Sequence, residues 1–268
     1  MLRKAFAFLK KDFLVESSYR FSLALSLAGI LVSLLTYFFI DKLFGHRMAP
    51  NLEEFGVNYF SYVLLSTALF GYIGIGMGSF YERIRSEQVE GTLEALLLTP
   101  TPPLIILFSM ALWNSVFATI TMAVYMILGT FLFHIDFSST NILSALLILI
   151  LTITSFSSLG ILSASFVMVF KRGNPVEWIV SGLEGLVGGV FFPITVLPPF
   201  LQFAAKFFPI TYSIRAIQLA VYKGYSVRQL SAELSALFLF SLILLPVSFS
   251  VFKFALKKAR REGSLAQH

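Results

Sequence analysis

Residues 139–169, STNILSALLILILTITSFSSLGILSASFVMV, contain no charged side chain. A helix crosses the ~30 Å hydrocarbon core of a bilayer with about 20 mainly apolar residues. This stretch is longer than that, so a helix formed by it must tilt or project beyond the bilayer. It therefore predicts a membrane-spanning helix.

Comparable apolar stretches occur on both sides of this one. They cover residues 21–41, 57–80, 103–133, 177–197 and 232–254. We therefore predict an all-α integral membrane protein, with six transmembrane helices in a single domain over residues 1–268. The composition agrees, because 13% of the residues are charged, against roughly a quarter in a soluble domain.

Several classes of chemistry are excluded by what the sequence lacks. Without cysteine there are no disulfides, iron–sulfur clusters or catalytic thiols. His46, His134 and His268 lie in separate segments, so no metal site is predicted. No P-loop motif is present, and we expect no cofactor in this chain. The first apolar stretch is too long for a signal-peptide core, so we expect it to be retained.

The distribution of Lys and Arg predicts the orientation. With both termini in the cytoplasm, most of the 20 basic residues lie in cytoplasmic segments, as the positive-inside rule requires. The net charge of +6 is then explained by anionic membrane lipid, without a nucleic-acid partner.

Residues 1–18 have a different pattern from the spans. Leu2, Phe6, Leu9 and Phe13 recur at helical spacing, with four basic residues between them. This pattern is typical of an amphipathic helix that lies flat in the membrane interface. A frayed basic tail is the alternative.

The loop between the second and third spans, residues 82–100, is the most informative hydrophilic segment. Apolar residues at helical spacing face away from a row of glutamates, which predicts a short amphipathic helix in the cytoplasm. Prolines end it. Gly91 lies in its middle at a cost of roughly 1 kcal/mol relative to alanine, which indicates a bend or a close contact. The alternative is an ordinary surface helix whose charges are merely solvated.

This loop resembles the signature of the type-2 (ABC-2) family of ABC exporter permeases. The residues that carry the resemblance are Glu87, Glu90, Gly91, Thr92, Leu93, Glu94, Leu97, Thr99 and Pro100. The resemblance implies a coupling helix that docks on a separate ATPase, which binds ATP and Mg. It also implies a homodimer of this chain with two ATP-binding cassette subunits.

The fifth span is predicted to be broken at its outer end. Prolines fall at 193, 198, 199 and 209, and a continuous helix does not hold prolines at that density. We expect a break near Pro193 and then a re-entrant pair of short helices over residues 197–216, buried in protein or lining a cavity.

This segment resembles the same family's pattern, through Phe192, Pro193, Leu197, Pro198, Pro209, Thr211 and Tyr212. The resemblance indicates an outer gate for substrate release. Simple packing against a partner protomer is the alternative.

A few further residues carry weaker predictions. Glu184 is an acid inside the fifth span and could contact substrate, pair with Arg215, or be solvated near the cytoplasmic end. Tyr59 and Tyr62 are placed in the aromatic belt at the membrane interface, and the alternative is that they line a transport path together with Tyr72. Gly71, Gly74, Gly76 and Gly78 are interpreted as helix-packing positions in the second span, with a hinge as the alternative.

The function predicted from these features is that of a permease subunit of an ATP-driven exporter that works by alternating access. Its cargo would be an amphiphilic drug, a lipid or a lipid-linked saccharide, and no residue selects among these. An ion-driven secondary transporter is an alternative. Such a carrier typically has internal repeats and several intramembrane charges, and neither is evident in this sequence. A membrane-embedded enzyme would require a catalytic cluster at membrane depth.

Overall fold

The computed structural model describes residues 20–89, 103–170, 182, 185 and 187–261. Within these ranges the chain forms helices, turns and loops and no β-strand, which confirms the all-α class there. The α-helices are α1 (Arg20–Met48), α2 (Tyr59–Val89), α3 (Pro103–Phe133), α4 (Ile142–Phe170), α5 (Pro199–Ala205), α6 (Pro209–Tyr222) and α7 (Ser231–Arg261). Short 3-10 helices form at Ala49–Leu52 and Ile194–Val196.

Five of these helices are long and apolar enough to cross a membrane. Their candidate spans are Ala24–Phe44, Tyr59–Glu82, Leu112–Phe133, Ile142–Phe170 and Ser231–Ala259. They coincide with the predicted first, second, third, fourth and sixth spans. The predicted interfacial helix at 1–18 and most of the predicted span at 177–197 lie outside the described residues.

The long helices are packed so that neighbours along the chain run in opposite directions. At one end of the bundle, the rings of Phe38, Phe60 and Phe133 from α1, α2 and α3 meet with centroids 4.7 to 5.6 Å apart. We call this the Arg215 end, after a residue described below. At the other end, Phe80, Met168 and Leu256 form a second core from α2, α4 and α7. We call this the Phe80 end.

Helix α2 is the centre of the bundle, since it packs on α1, α3, α4 and α6. Tyr59 and Tyr62, which were predicted to lie in the aromatic belt, are buried within the bundle and do not face lipid. Their exposed fractions are 8% and 2%, because the neighbouring helices cover α2. Helix α4 is the second scaffold and packs on α2, α6 and α7.

One of the α2 glycines is packed as predicted. A Cβ at Gly76 would lie 2.5 Å from the Ile153 side chain, whereas a Cβ at Gly71 or Gly74 would meet no described atom within 4 Å. A close backbone approach also involves a glycine of α4, because a Cβ on Gly160 would lie 2.5 Å from the carbonyl oxygen of Met77.

The helical chain breaks earlier than its prolines predict. Val187 is the last helical residue, and bends follow from Gly188, whereas the break was expected near Pro193. Gly189 has a φ of +86°, a conformation that glycine adopts without steric cost. The backbone therefore turns at the glycine pair, and Pro193 lies in the turn that follows.

Candidate functional site

Of the predicted coupling residues the structure describes Glu87, which lies at the Phe80 end of the bundle. Glu87 belongs to the last turn of α2, so the first part of segment 82–100 continues that helix without a break. Glu184 and the remaining coupling residues lie outside the described residues. These coupling residues are Glu90, Gly91, Thr92, Leu93, Glu94, Leu97, Thr99 and Pro100. Since α2 ends at Val89 and α3 begins at Pro103, the segment is anchored by two spanning helices.

The predicted gate residues flank the short helix α5: Phe192, Pro193, Leu197 and Pro198 precede it, and Pro209 and Tyr212 follow it in the first turn of α6. Pro198 is the N-cap of α5, and Pro209 is at the start of α6, where a missing N–H costs nothing. Pro193 and Pro209 are buried, Pro198 is exposed, and Phe192, Leu197 and Tyr212 are half-buried. The prolines therefore act as helix starts in the segment that contains the corner between α5 and α6.

Side chains of the same motif tie the corner together. The Thr211 hydroxyl donates to the carbonyl of Ala205 at 2.8 Å, and the Tyr212 hydroxyl donates to that of Lys206 at 3.1 Å. Both carbonyls belong to the end of α5 and would otherwise lack helical donors. The Gln202 amide donates to the carbonyl of Leu197 at 2.8 Å. The corner is thus a hydrogen-bonded unit.

Buried hydrogen bonds connect this corner to α2. The Tyr62 hydroxyl donates to the carbonyl of Gly189 at 2.6 Å. The Gln218 amide of α6 donates to the Tyr62 carbonyl and to the Ser66 hydroxyl, both at 2.8 Å. We call Tyr62, Ser66, Gly189 and Gln218 the α2 lock. Because its groups are buried, each hydrogen bond avoids the cost of an unpaired polar group.

Hydrogen bonds also join α6 to α4 and to the residue that precedes α4. The Thr152 hydroxyl donates to the Ser213 hydroxyl at 2.9 Å, and the backbone N–H of Asn141 donates to the carbonyl of Ala220 at 2.9 Å. Small polar residues of this kind allow close helix approach in membranes. Helix α6 is therefore held on two sides, by α2 and by α4.

An ion-pair bridge lies at the surface of the site, at the Arg215 end of the bundle. The Arg215 guanidinium of α6 lies 2.7 Å from the Glu54 carboxylate and 2.9 Å from the Glu233 carboxylate. Glu54 belongs to the connection between α1 and α2, and Glu233 lies in the first turn of α7. Glu233 is 7% exposed, whereas Glu54 is 44% exposed. The buried partner thus depends on Arg215 far more than the exposed one does.

The same carboxylates influence the titration of Arg215. Burial alone lowers the pKa of the guanidinium, but the hydrogen bond with Glu54 and the charges of Glu54 and Glu233 outweigh it, so its pKa is raised. Arg215 therefore remains a cation, and the charge state of the bridge changes only when a carboxylate changes its charge.

Sequence reasoning missed most of this network. It considered Arg215 as a partner for Glu184, and it assigned no role to Glu54, Glu233 or Gln218. The sequence does contain a signal for Gln218, because Gln218 and Arg215 are polar residues within the otherwise apolar run 214–222. No group of three His, Asp or Glu side chains that could hold a metal occurs in the part of the chain that is described.

Comparison with known proteins gives two findings. A family model described as ABC-2 type transporter matches residues 4–222. The inner membrane transport permease YadH of Escherichia coli K12 is 24% identical over 184 residues, which are 67% of this chain and 69% of that protein. The YadH protein of Shigella flexneri matches with the same identity and coverage.

Proposed function

Because the chain belongs to the ABC-2 type transporter family, we propose that it is the membrane subunit of an ATP-driven exporter. It is a transport permease, and it is a multi-pass protein of the cytoplasmic (inner) membrane. The finer assignment is that a separate ATPase, with bound ATP and Mg, drives export of an amphiphilic drug, lipid or lipid-linked saccharide by alternating access.

One observation carries this proposal: a single helix joins the two predicted functional regions. Helix α2 runs without interruption from Tyr59 to Val89, which corresponds to about 45 Å. Near its start Tyr62 is hydrogen-bonded to Gly189 and Gln218, and at its other end the coupling segment begins. A displacement of the coupling segment would therefore reach the gate corner through one rigid element.

In the proposed mechanism the ATPase holds segment 82–100. Glu90 and Glu94 pair with basic groove residues of that subunit, while Leu93 and Leu97 fill apolar pockets. Closure of the ATPase pair on ATP moves the segment, α2 and α3 together. The α2 lock transfers the movement to α6 and to the break at Gly189, and the corner between α5 and α6 opens outward.

The re-entrant character of α5 and α6 is part of this proposal. Ser213 of α6 contacts Thr152, and Ala220 contacts Asn141. Since Thr152 lies about 16 Å further along the chain toward the middle of α4 than Asn141, these contacts support a model in which α6 runs from within the bilayer back toward its surface. Such backbone is tolerated because the surrounding helices bury it.

The proposed orientation places the Phe80 end in the cytoplasm, and the proposed assembly is a homodimer with two ATPase subunits. The exposed face of helix α1 is suited to contact with a partner or with lipid, because it carries large apolar side chains such as Phe21, Val32 and Leu43. Closed two-fold dimers are the usual form of such assemblies.

The test is copurification and reconstitution with the ATP-binding cassette subunits of the host cell. We expect the ATPase to copurify and proteoliposomes to move a fluorescent amphiphile only with ATP, with inhibition by vanadate. A hydrolysis-deficient ATPase is the control. Transport that follows a proton or sodium gradient without ATP would favour the secondary-transporter alternative and overturn the proposal.

A further inference from the structure

A cationic cavity lies at the C-terminal end of α7, at the Phe80 end of the bundle. Its described lining consists of Lys253, Leu256, Lys257 and Arg261, and its volume is about 320 Å³. The three cations are spaced four residues apart and therefore lie on one face of the helix. No carboxylate among the described residues forms an ion pair with any of them.

The wall of this cavity is part of the packed bundle. Phe252, Ala255, Leu256 and Ala259 are buried against α2 and α4 in the second core. Lys258, the next cation along the helix, lies elsewhere, with its ammonium 5.9 Å from the centroid of the Phe170 ring. Through Leu256 the cavity borders the second core, and three exposed cationic side chains surround it.

Its depth in the bilayer follows from α7 itself. No charged residue lies between Glu233 and Lys253, and the helix is continuous between them. At 1.5 Å per residue these two positions are about 30 Å apart, which equals the thickness of the hydrocarbon core. Lys253 therefore lies at one boundary of the hydrocarbon, and Lys257 and Arg261 lie at headgroup depth.

We propose that this cavity is a binding site for the phosphate of one anionic membrane lipid. Arg and Lys donate charge-assisted hydrogen bonds to phosphate oxygens, and three cations facing a single cavity suit a headgroup with a net negative charge. Exposed apolar side chains of the same part of α7, Val251 and Phe254, are available to contact an acyl chain. The site requires only the membrane placement of α7, so it does not depend on coupling to an ATPase.

The experiment compares lipid retention by the purified full-length protein in native mass spectrometry. Phosphatidylglycerol and phosphatidylcholine are added at equal concentration. The site variant is Lys253→Gln/Lys257→Gln/Arg261→Gln. The matched control, Lys206→Gln/Lys223→Gln/Arg228→Gln, removes the same charge from exposed positions at the Arg215 end. A third variant, Lys253→Arg/Lys257→Arg/Arg261→Lys, keeps the charge of the site.

We expect the unmodified protein to retain phosphatidylglycerol over phosphatidylcholine, and the site variant to lose this retention by about tenfold or more. The control and the charge-preserving variant should stay close to the unmodified protein. Equal retention of the two lipids by the unmodified protein overturns the proposal. So does an equal loss in the control variant, because that result would indicate only a general effect of net charge.

Discussion

The hydroxyl of Tyr62 donates a 2.6 Å hydrogen bond to the carbonyl of Gly189. The two residues are far apart in the chain, one near the start of α2 and the other at the break that precedes α5. Gly189 has a positive φ of +86°, so the hydrogen bond holds a turn in the backbone. It is the most direct connection between α2 and the broken segment.

Tyr62→Phe removes this donor and leaves the ring in place. The Gly189 carbonyl then remains buried without the hydroxyl, which we expect to destabilise the protein by about 1–3 kcal/mol. The measurement is the thermal unfolding midpoint in detergent. Tyr59→Phe is the control, because Tyr59 is also buried and its hydroxyl forms no hydrogen bond with the described residues. Equal midpoints for the two variants would mean that the Tyr62 hydroxyl contributes nothing.

The ion-pair bridge predicts which of its residues costs more stability when it is replaced. Glu54→Gln should cost no more than about 1 kcal/mol, since that carboxylate is largely exposed. Arg215→Gln should cost about 2 kcal/mol or more, because it leaves the Glu233 carboxylate buried without its cation.

A double variant checks the cause of that cost. Arg215→Gln/Glu233→Gln removes the buried charge together with its partner, so it should be more stable than Arg215→Gln alone. Chemical denaturation of the three variants in mixed micelles provides the comparison. The explanation fails if the double variant is the least stable of them.

The close approach of α2 and α4 at Gly160 predicts intolerance to a single methyl group. Gly160→Ala places a Cβ 2.5 Å from the Met77 carbonyl oxygen, so the helices must separate. We expect a loss of about 1–3 kcal/mol.

Gly74→Ala is the matched substitution, because its Cβ would meet no described atom within 4 Å. It should be neutral or slightly stabilising, since alanine has the higher helix propensity. The measurement is the unfolding midpoint of both variants. A greater loss of stability in Gly74→Ala than in Gly160→Ala would contradict this packing.

The coupling segment predicts variants that insert normally and do not couple. Gly91→Pro, or the pair Glu90→Lys and Glu94→Lys, should lower ATP-dependent transport by about tenfold or more and weaken ATPase binding. Glu53→Lys, at the opposite end of the bundle, is the control for an added positive charge. Transport per ATP hydrolysed is the quantity to measure, and full transport with normal ATPase binding in the Glu90 and Glu94 variant would exclude this role.

The membrane class and all five described spans could be predicted from the amino-acid sequence alone. Each span is a long apolar run, and the cost of exposing backbone groups to lipid makes such a run helical whatever its neighbours are. The interruption of the helix in the proline-rich segment was predictable for a similar local reason, since a proline cannot continue the helix that precedes it.

Only the tertiary structure decided which polar side chains meet. Tyr62 binds Gly189, Gln218 binds Tyr62 and Ser66, and Arg215 lies between two carboxylates. These residues are distant in sequence, and helices of similar hydrophobicity do not specify their neighbours by composition. Their contacts follow from close approach and from the need to pair buried polar groups, which are properties of the packed bundle.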